Sequence, residues 1–237
     1  MLRQALLSEE QKMKRSCFSG YAHYFMDHAS ICAAEALQVL PGDQVLDLCA
    51  APGGKTLVLA EMLQGKGSLI ANELSRDRKA RLIKVLDEHV PEEHRKLIQV
   101  TGFDGNQFGL KKADTFDKVL LDAPCSSERH LLQEDPLMKD WKESRTKQLM
   151  MRQYSLLCSA LLSLKSGGKI IYSTCSISPL ENDGVVERLL KKKSDLVSVD
   201  PEFSDLSDVE KTKYGFQIFP DQANGAGPIY FSRLIKS

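Results

Sequence analysis

The chain has 237 residues, 42% hydrophobic and 27% charged, and its 32 basic and 32 acidic side chains balance to a formal net charge of zero. That length suits one well-buried α/β domain with little left for a second, and the balanced charge excludes a general polyanion binder, so any nucleic-acid surface must be a local patch. The six cysteines, at 17, 32, 49, 125, 158 and 175, form no C-x-x-C pair and have no close histidine partner, which argues for reduced thiols and against a structural zinc site; no metal is expected.

In chain order, Met1 to Arg15 lacks the apolar core of a secretion signal, and Glu9 and Glu10 make it a poor mitochondrial transit segment. A cytoplasmic setting is expected, a mitochondrial one being the alternative, and no run of 18 apolar residues offers a membrane span. Ser8 to about Lys14 is polar and helix-prone, and Tyr21 to Leu37 is apolar enough for a helix or helix pair, with Asp27 and Ser30 as N-caps. Residues 1–36 are therefore expected as a helical arm and 37–237 as the main domain.

After the turn Pro41-Gly42-Asp43, Gln44 to Leu48 reads as the first strand. It runs into Asp47-Leu48-Cys49-Ala50-Ala51-Pro52-Gly53-Gly54-Lys55-Thr56, where the apolar pattern breaks at the glycines and resumes as a helix through Leu63. This is the first βα turn of a nucleotide-binding sheet: glycines admit a ligand close to the backbone, and free helix N–H groups face it.

Ser68 to Glu73, Lys96 to Thr101, Phe116 to Asp122 and Lys169 to Ser173 follow as strands, and the continuous run Val119-Leu120-Leu121 marks a central one. Ser75 caps a helix carrying Arg76, Arg78, Lys79, Arg81 and Lys84; Gln148 to Leu164 forms a long helix stopped at Ser166-Gly167-Gly168; Leu180 to Lys192 forms another. Gln217 to Pro220 and Ile229 to Ile235 close as a hairpin-like pair, and Asp195 to Lys213 is expected to be the most mobile loop. Strands alternating with helices give a Rossmann-like α/β fold, a mostly parallel sheet with an antiparallel C-terminal edge.

In such a sheet the ligand lies beyond the carboxyl ends of the strands. Asp47, Glu73, Asp104 and Asp122 stand there on successive strands, and four acids together suit a ligand rich in hydroxyls and amines. Glu73 is placed to hold ribose hydroxyls, and Asp104, before Gly105, to accept from an adenine amine. A phosphate-binding loop fails because its first glycine position is Cys49, and G-x-G-x-x-G is absent. An adenosine-type ligand without a pyrophosphate, such as S-adenosyl-L-methionine, fits best. Its expected contacts are Cys49, Ala50, Ala51, Pro52, Gly53, Gly54 and Lys55 of the turn, with Glu73, Arg78, Asp104, Gly105 and Asp122.

Two further strands end in Asp122-Ala123-Pro124-Cys125-Ser126-Ser127 and Ser173-Thr174-Cys175-Ser176. One cysteine at a strand tip is commonly a small buried hydrophobe; two on adjacent tips, flanked by small hydroxyl residues, point to chemistry.

These three blocks, with Asp27-His28-Ala29-Ser30 and Gly227-Pro228-Ile229-Tyr230, resemble the signature of the Sun/Nop2/RsmB family of RNA cytosine-5 methyltransferases from about Tyr21 onward. Val90-Pro91-Glu92-Glu93 and Glu128-Arg129-His130 resemble its compact branch, which includes mitochondrial rRNA and tRNA enzymes. The resemblance implies a class I methyltransferase with a seven-stranded sheet, S-adenosyl-L-methionine as cofactor and rRNA or tRNA as substrate. It implies that Cys175 is the nucleophile that adds to cytosine C6 and that Cys125 resolves the adduct. Asp122 would hold N3 and the amine of the base, and Lys55 would contact the target nucleotide or orient Asp122.

A cytosine drawn out of its stack is implied as well. Arg129 and His130 are candidates for the RNA backbone, as are Lys139, Lys142, Arg145, Lys147 and Arg152, each of which also reads as part of a solvated helix face. Lys191 to Lys193 read as partners of a helix dipole, and Trp141 as a packing anchor. With zero net charge and room for only a short arm, RNA binding is expected to draw on a protein partner, a ribonucleoprotein substrate or a small RNA, and the chain is expected to be a monomer. A non-catalytic RNA-binding or assembly module on the same scaffold is the alternative. A cysteine hydrolase using Cys125 with His130 would leave the glycine turn and Cys175 unexplained.

Overall fold

The computed structural model describes residues 12–15, 17–134, 142–203 and 209–237. A first, two-stranded sheet pairs β1 (Lys12–Arg15) antiparallel with β2 (Tyr24–Asp27). Helix α1 (His28–Glu35) follows, capped by Asp27, whose carboxylate accepts from Ser30 N at 3.3 Å. The expected helical arm is thus corrected: in the described residues it is a hairpin followed by one short helix, because cross-strand pairing overrides local helix propensity.

The main sheet has nine strands, ordered β5-β4-β3-β6-β7-β11-β10-β9, with β8 paired to β11. Its parallel part comprises β3 (Gln44–Asp47), β4 (Ser68–Asn72), β5 (Ile98–Thr101), β6 (Phe116–Asp122) and β7 (Leu164–Thr174). Antiparallel additions follow: β8 (Val197–Val199), β9 (Glu210–Lys211), β10 (Phe216–Ile218) and β11 (Ile229–Lys236). Seven strands follow the expected plan; β8 and β9, at three and two residues, are too short to carry an alternation signal.

The connecting helices are α2 (Gly54–Met62), α3 (Arg76–His89), α4 (Glu92–Arg95), α5 (Gly105–Lys111), α6 (Glu128–Glu134), α7 (Glu143–Ser163) and α8 (Asp183–Lys193). Ser75 caps α3 through Arg78 N, and Asp104 caps α5 through Asn106 N. The long helix, expected to end at Leu164, ends at Ser163, but the glycines expected as its stop lie within β7, beside a register shift against β6.

Alternation along the central strands builds two cores. Val45, Leu120 and Ile171 face the layer of α1, α2 and α3, whereas Leu46, Val119, Leu121, Ile170 and Tyr172 face α5, α7 and α8. Both faces being apolar, the strands' carboxyl ends are left as the polar outlet of the sheet, and the chemistry-bearing residues gather there.

Candidate active site

The turn after β3 is fixed by sterics. Gly53 has φ of 120°, a left-handed conformation that side chains rarely adopt, and a Cβ there would come within 3.1 Å of Val85 on α3. The turn is therefore pressed between α3 and the N-terminal hairpin, with Gly54 facing Tyr24 and Met26. Lys55, in the first turn of α2, reaches back across the strand ends.

A cavity of about 570 Å³ opens at the carboxyl ends of the strands. One end is lined by Glu73, Arg78, Asp104 and Gly105, with Leu48, Cys49 and Leu156 as apolar walls. The other holds Asp122, Lys55, Cys125 and Cys175. Glu73 Oε1 accepts from Ser75 N at 2.9 Å, and Oε2 lies 3.3 Å from Arg78 Nη1. Arg78 also donates to Ala51 O at 2.7 Å, which ties the second strand's tip to the glycine turn.

The expected residues divide between two cavities. Ala50, Ala51, Pro52 and Gly54 do not line the large cavity but a smaller neighbour, and Gly53 lines neither. Asp47 is also turned away from the large cavity. It is fully buried, accepts from Thr56 Oγ1 at 2.7 Å, and burial pushes its carboxyl up to about 7. Of the four strand-end acids, Glu73, Asp104 and Asp122 line the large cavity, and Asp27 rather than Asp47 is the fourth acid there.

Lys55 Nζ lies 2.8 Å from Asp122 Oδ2 and donates to Ser30 Oγ at 3.3 Å, while Asp122 Oδ1 accepts from Ser173 Oγ at 3.0 Å. Burial pulls the Lys55 ammonium down, and the Asp122 carboxylate more than offsets it, so the net shift is upward. Lys55 thus ties Asp122 to Ser30 at the end of the cavity.

Cys125 Sγ and Cys175 Sγ lie 2.7 Å apart, with Ser127 Oγ 3.1 Å from Cys175 Sγ. The Cys125 S–H, donating to its neighbour, holds the Cys175 thiol below the ordinary range against the opposing effect of burial. The same contact pushes Cys125 well above it. The contact therefore moves the two thiols in opposite directions, Cys175 toward easier ionisation and Cys125 away from it. Burial and the nearby carboxylates push the Cys49 thiol up, only partly opposed by Arg152, which suits an apolar wall.

Two buried acids that sequence reasoning did not single out hold the thiol-bearing turns. Glu128 accepts from Ser126 Oγ, from Ser176 Oγ at 3.0 Å and from Ile177 N at 3.2 Å. Glu181 accepts from Ser126 N at 3.1 Å and from Gln153 Nε2 at 2.7 Å. Asn72, also missed, staples the tips of three strands through Leu48 O, Thr101 Oγ1 and Phe103. Its position just before Glu73 at a strand end is the one local signal it offered.

Arg129 lines the large cavity; it is 7% exposed and donates through Nη1 to Gly225 O and Gly227 O, so its guanidinium also secures the loop before β11. His130 is exposed at the cavity mouth, 3.0 Å from Glu134, and Arg152 lines the same cavity. Lys147 is paired with Glu143, and Lys191 with Glu187. Lys139 and Trp141 lie outside the described residues. Among the described residues no cluster of His, Cys, Asp or Glu forms a metal site.

A family profile described as 16S rRNA methyltransferase RsmB/F matches residues 34–235. The chain is 37% identical over 229 residues to the 5-cytosine rRNA methyltransferase NSUN4 of Bos taurus, covering 90% of this chain and 59% of that protein. It is 38% identical over 224 residues to the mitochondrial tRNA (cytosine(34)-C(5))-methyltransferase of Danio rerio, covering 90% and 60%. In structure it is similar to NSun6 from Pyrococcus horikoshii, solved with SFG, at a TM-score of 0.76 and 24% identity, over 94% of this chain and 55% of that one. The fold is the Rossmann-like one of S-adenosylmethionine-dependent methyltransferases. The chain spans about three fifths of the length of the curated relatives it matches.

Proposed function

The chain belongs to the RsmB/F family of rRNA methyltransferases, and on that premise we propose that it methylates C5 of a cytosine in rRNA or tRNA through a covalent adduct on Cys175. The observation that carries this reading is the thiol pair: Cys175 and Cys125 in contact at 2.7 Å, beside the Lys55–Asp122 ion pair.

S-adenosyl-L-methionine, when bound, supplies an electrophilic methyl group. The donor set fits it: Glu73 for ribose hydroxyls, Asp104 for the adenine amine, and Leu48, Cys49 and Leu156 as apolar walls.

The rest is the work of this chain's side chains. Cytosine C5 is a poor nucleophile until a thiolate adds to C6. Cys175, whose thiol is held below its ordinary range by the Cys125 contact, forms that C6–S bond as a thiolate. Asp122, held by Lys55 and Ser173, faces N3 and the exocyclic amine and assists protonation of the ring as the thiolate adds. Once C5 carries its methyl group, loss of the C5 proton restores the ring and breaks the C6–S bond, with Cys125 adjacent to resolve the adduct. The base must be presented outside a stack, since neither face of C6 is open in a duplex.

The Danio rerio relative is named as mitochondrial, which supports the mitochondrial setting for this chain. No helix among the described residues is long and apolar enough to cross a membrane. With no net charge, the chain draws its RNA affinity from the catalytic face together with a protein partner or a ribonucleoprotein substrate.

The test is incorporation of labelled methyl groups into RNA from cells lacking the protein. One discrete cytosine should gain 5-methylcytosine with the native chain and none with Cys175→Ala. Equal labelling by the two would overturn the nucleophile, and no labelling by either would overturn the reaction.

A further inference from the structure

Pro124 and Ser126 flank Cys125, and Thr174 and Ser176 flank Cys175. Two consecutive residues, Glu181 and Asn182, serve both pairs of flanks, and neither of them lines a cavity. Glu181 Oε2 accepts from Ser126 N at 3.1 Å and from Gln153 Nε2 at 2.7 Å, and the same Gln153 Nε2 donates to Pro124 O at 2.9 Å. The Cys125 turn is thus gripped on both sides of its cysteine, from α7 and from the chain before α8. Asn182 Oδ1 accepts from Thr174 Oγ1 at 2.6 Å, and its Nδ2 donates to Ser176 O at 3.0 Å, which grips the Cys175 turn in the same way. Because neighbouring Cα atoms lie about 3.8 Å apart across a trans peptide, two grips on consecutive residues fix one turn against the other.

Neither residue is the one that stability alone would favour. Asn182 is the N-cap of α8, where an asparagine ordinarily accepts from a free helix N–H, yet it makes no such bond. Its amide serves Thr174, Ser176 and Gln217 instead. Glu181 is fully buried, and burial together with nearby Glu128 pushes its carboxyl up. A fold that needed only to fill that space would do better with an apolar side chain. Both costs have a reason if these side chains set where the thiols sit.

We propose that Glu181 and Asn182 are positioning residues with divided tasks: Asn182 aims Cys175 for formation of the adduct, and Glu181, with Gln153, aims Cys125 for its release. This rests on the proposed covalent methyl transfer. In formation the Cys175 sulfur bonds C6. In release the C5–H electron pair re-forms the C5–C6 double bond, the C6–S pair returns to Cys175, and the proton leaves on the Cys125 side.

The test separates the two steps in mixtures of protein, S-adenosyl-L-methionine and the RNA that gains 5-methylcytosine. Adduct is quantified on a denaturing gel, and rates are normalised to the sites that bind labelled S-adenosyl-L-methionine, so that misfolded protein does not count. Cys125→Ala, which holds the adduct, reads formation alone. In that background Asn182→Asp, near in size but setting a carboxylate against Ser176 O and Gln217 Oε1, should slow formation about tenfold to a hundredfold, the scale of a displaced reacting group. Glu181→Ala in the same background should form adduct at the rate of Cys125→Ala alone.

With Cys125 present, Glu181→Ala should accumulate adduct and lower kcat about tenfold with KM for RNA kept. Gln153→Leu, which removes the other half of the same grip, should do likewise and gives the readout a second variant. Asn182→Asp should accumulate none. Glu181→Gln keeps an acceptor for Ser126 N and should release as the native chain does.

Equal slowing of both steps by Glu181→Ala and by Asn182→Asp, or native turnover in every variant, would overturn the division of tasks, while adduct in Cys125→Ala leaves the methyl transfer standing. No adduct in Cys125→Ala would overturn the covalent reaction, and the division with it.

Discussion

Cys125 Sγ lies 2.7 Å from Cys175 Sγ, each on a turn leaving a neighbouring strand, so that one thiol can donate to the other sulfur. Because the Cys125 S–H is the largest factor holding Cys175 down, Cys125→Ala should move the midpoint of Cys175 alkylation by iodoacetamide to higher pH. Burial and the Asp122 carboxylate then act on Cys175 without that donor. Mass-spectrometric quantification of the labelled peptide across pH 6 to 10 reads the shift, and an unmoved midpoint would assign the depression elsewhere.

Glu128 accepts from the serine after each of these cysteines, which makes it the tie between the two turns. Glu128→Ala leaves two hydroxyls and the Ile177 amide without their acceptor. The hydroxyls lie 3.1 Å apart and can bond each other in part, so the expected loss is about 2–4 kcal/mol of stability. The same variant should raise the Cys175 alkylation midpoint, as the thiols separate. Glu128→Gln keeps one acceptor for the hydroxyls and should retain most of both properties. Urea unfolding checks the first effect and alkylation the second.

Asp47 sets a pH dependence of stability. Its folded carboxyl is pushed up to about 7 by burial, above the unfolded value. Below that unfolded value both states hold the proton. Between it and about 7 only the folded state does, so stability falls as pH rises through this window and levels off above it. The loss is on the order of 2–4 kcal/mol. Asp47→Asn still accepts from Thr56 and should be more stable than the native chain at pH 7.5, with the two converging near pH 4. Parallel curves in urea from pH 4 to 7.5 would refute the assignment.

Much of this was readable locally. The break Pro52-Gly53-Gly54 after an apolar strand, the acids Glu73, Asp104 and Asp122 at strand ends, and the two cysteines at adjacent tips each depend on a few consecutive residues. What escaped depends on contacts distant in sequence. Arg129 reads as an exposed cation until the loop at 225–227, nearly a hundred residues on, takes up its guanidinium. Asp47 looks like its three fellow acids, yet only the pleat decides that its side chain turns toward Thr56 rather than the large cavity. The β1–β2 hairpin overrode residues that are helix-prone on their own. Glu128 shows in the sequence only as part of Glu128-Arg129-His130 and Glu181 in no motif, and the bonds both make exist only once the two cysteine turns are side by side.

The central claim is that Cys175 forms the bond to cytosine and Cys125 releases it. Cys125→Ala, incubated with S-adenosyl-L-methionine and its RNA, should accumulate a covalent protein–RNA species of retarded mobility on a denaturing gel, mapped by mass spectrometry to Cys175 and carrying a methylated cytosine. The double variant Cys125→Ala/Cys175→Ala should give none. Free turnover by Cys125→Ala without an adduct, or an adduct on any other residue, would contradict the account.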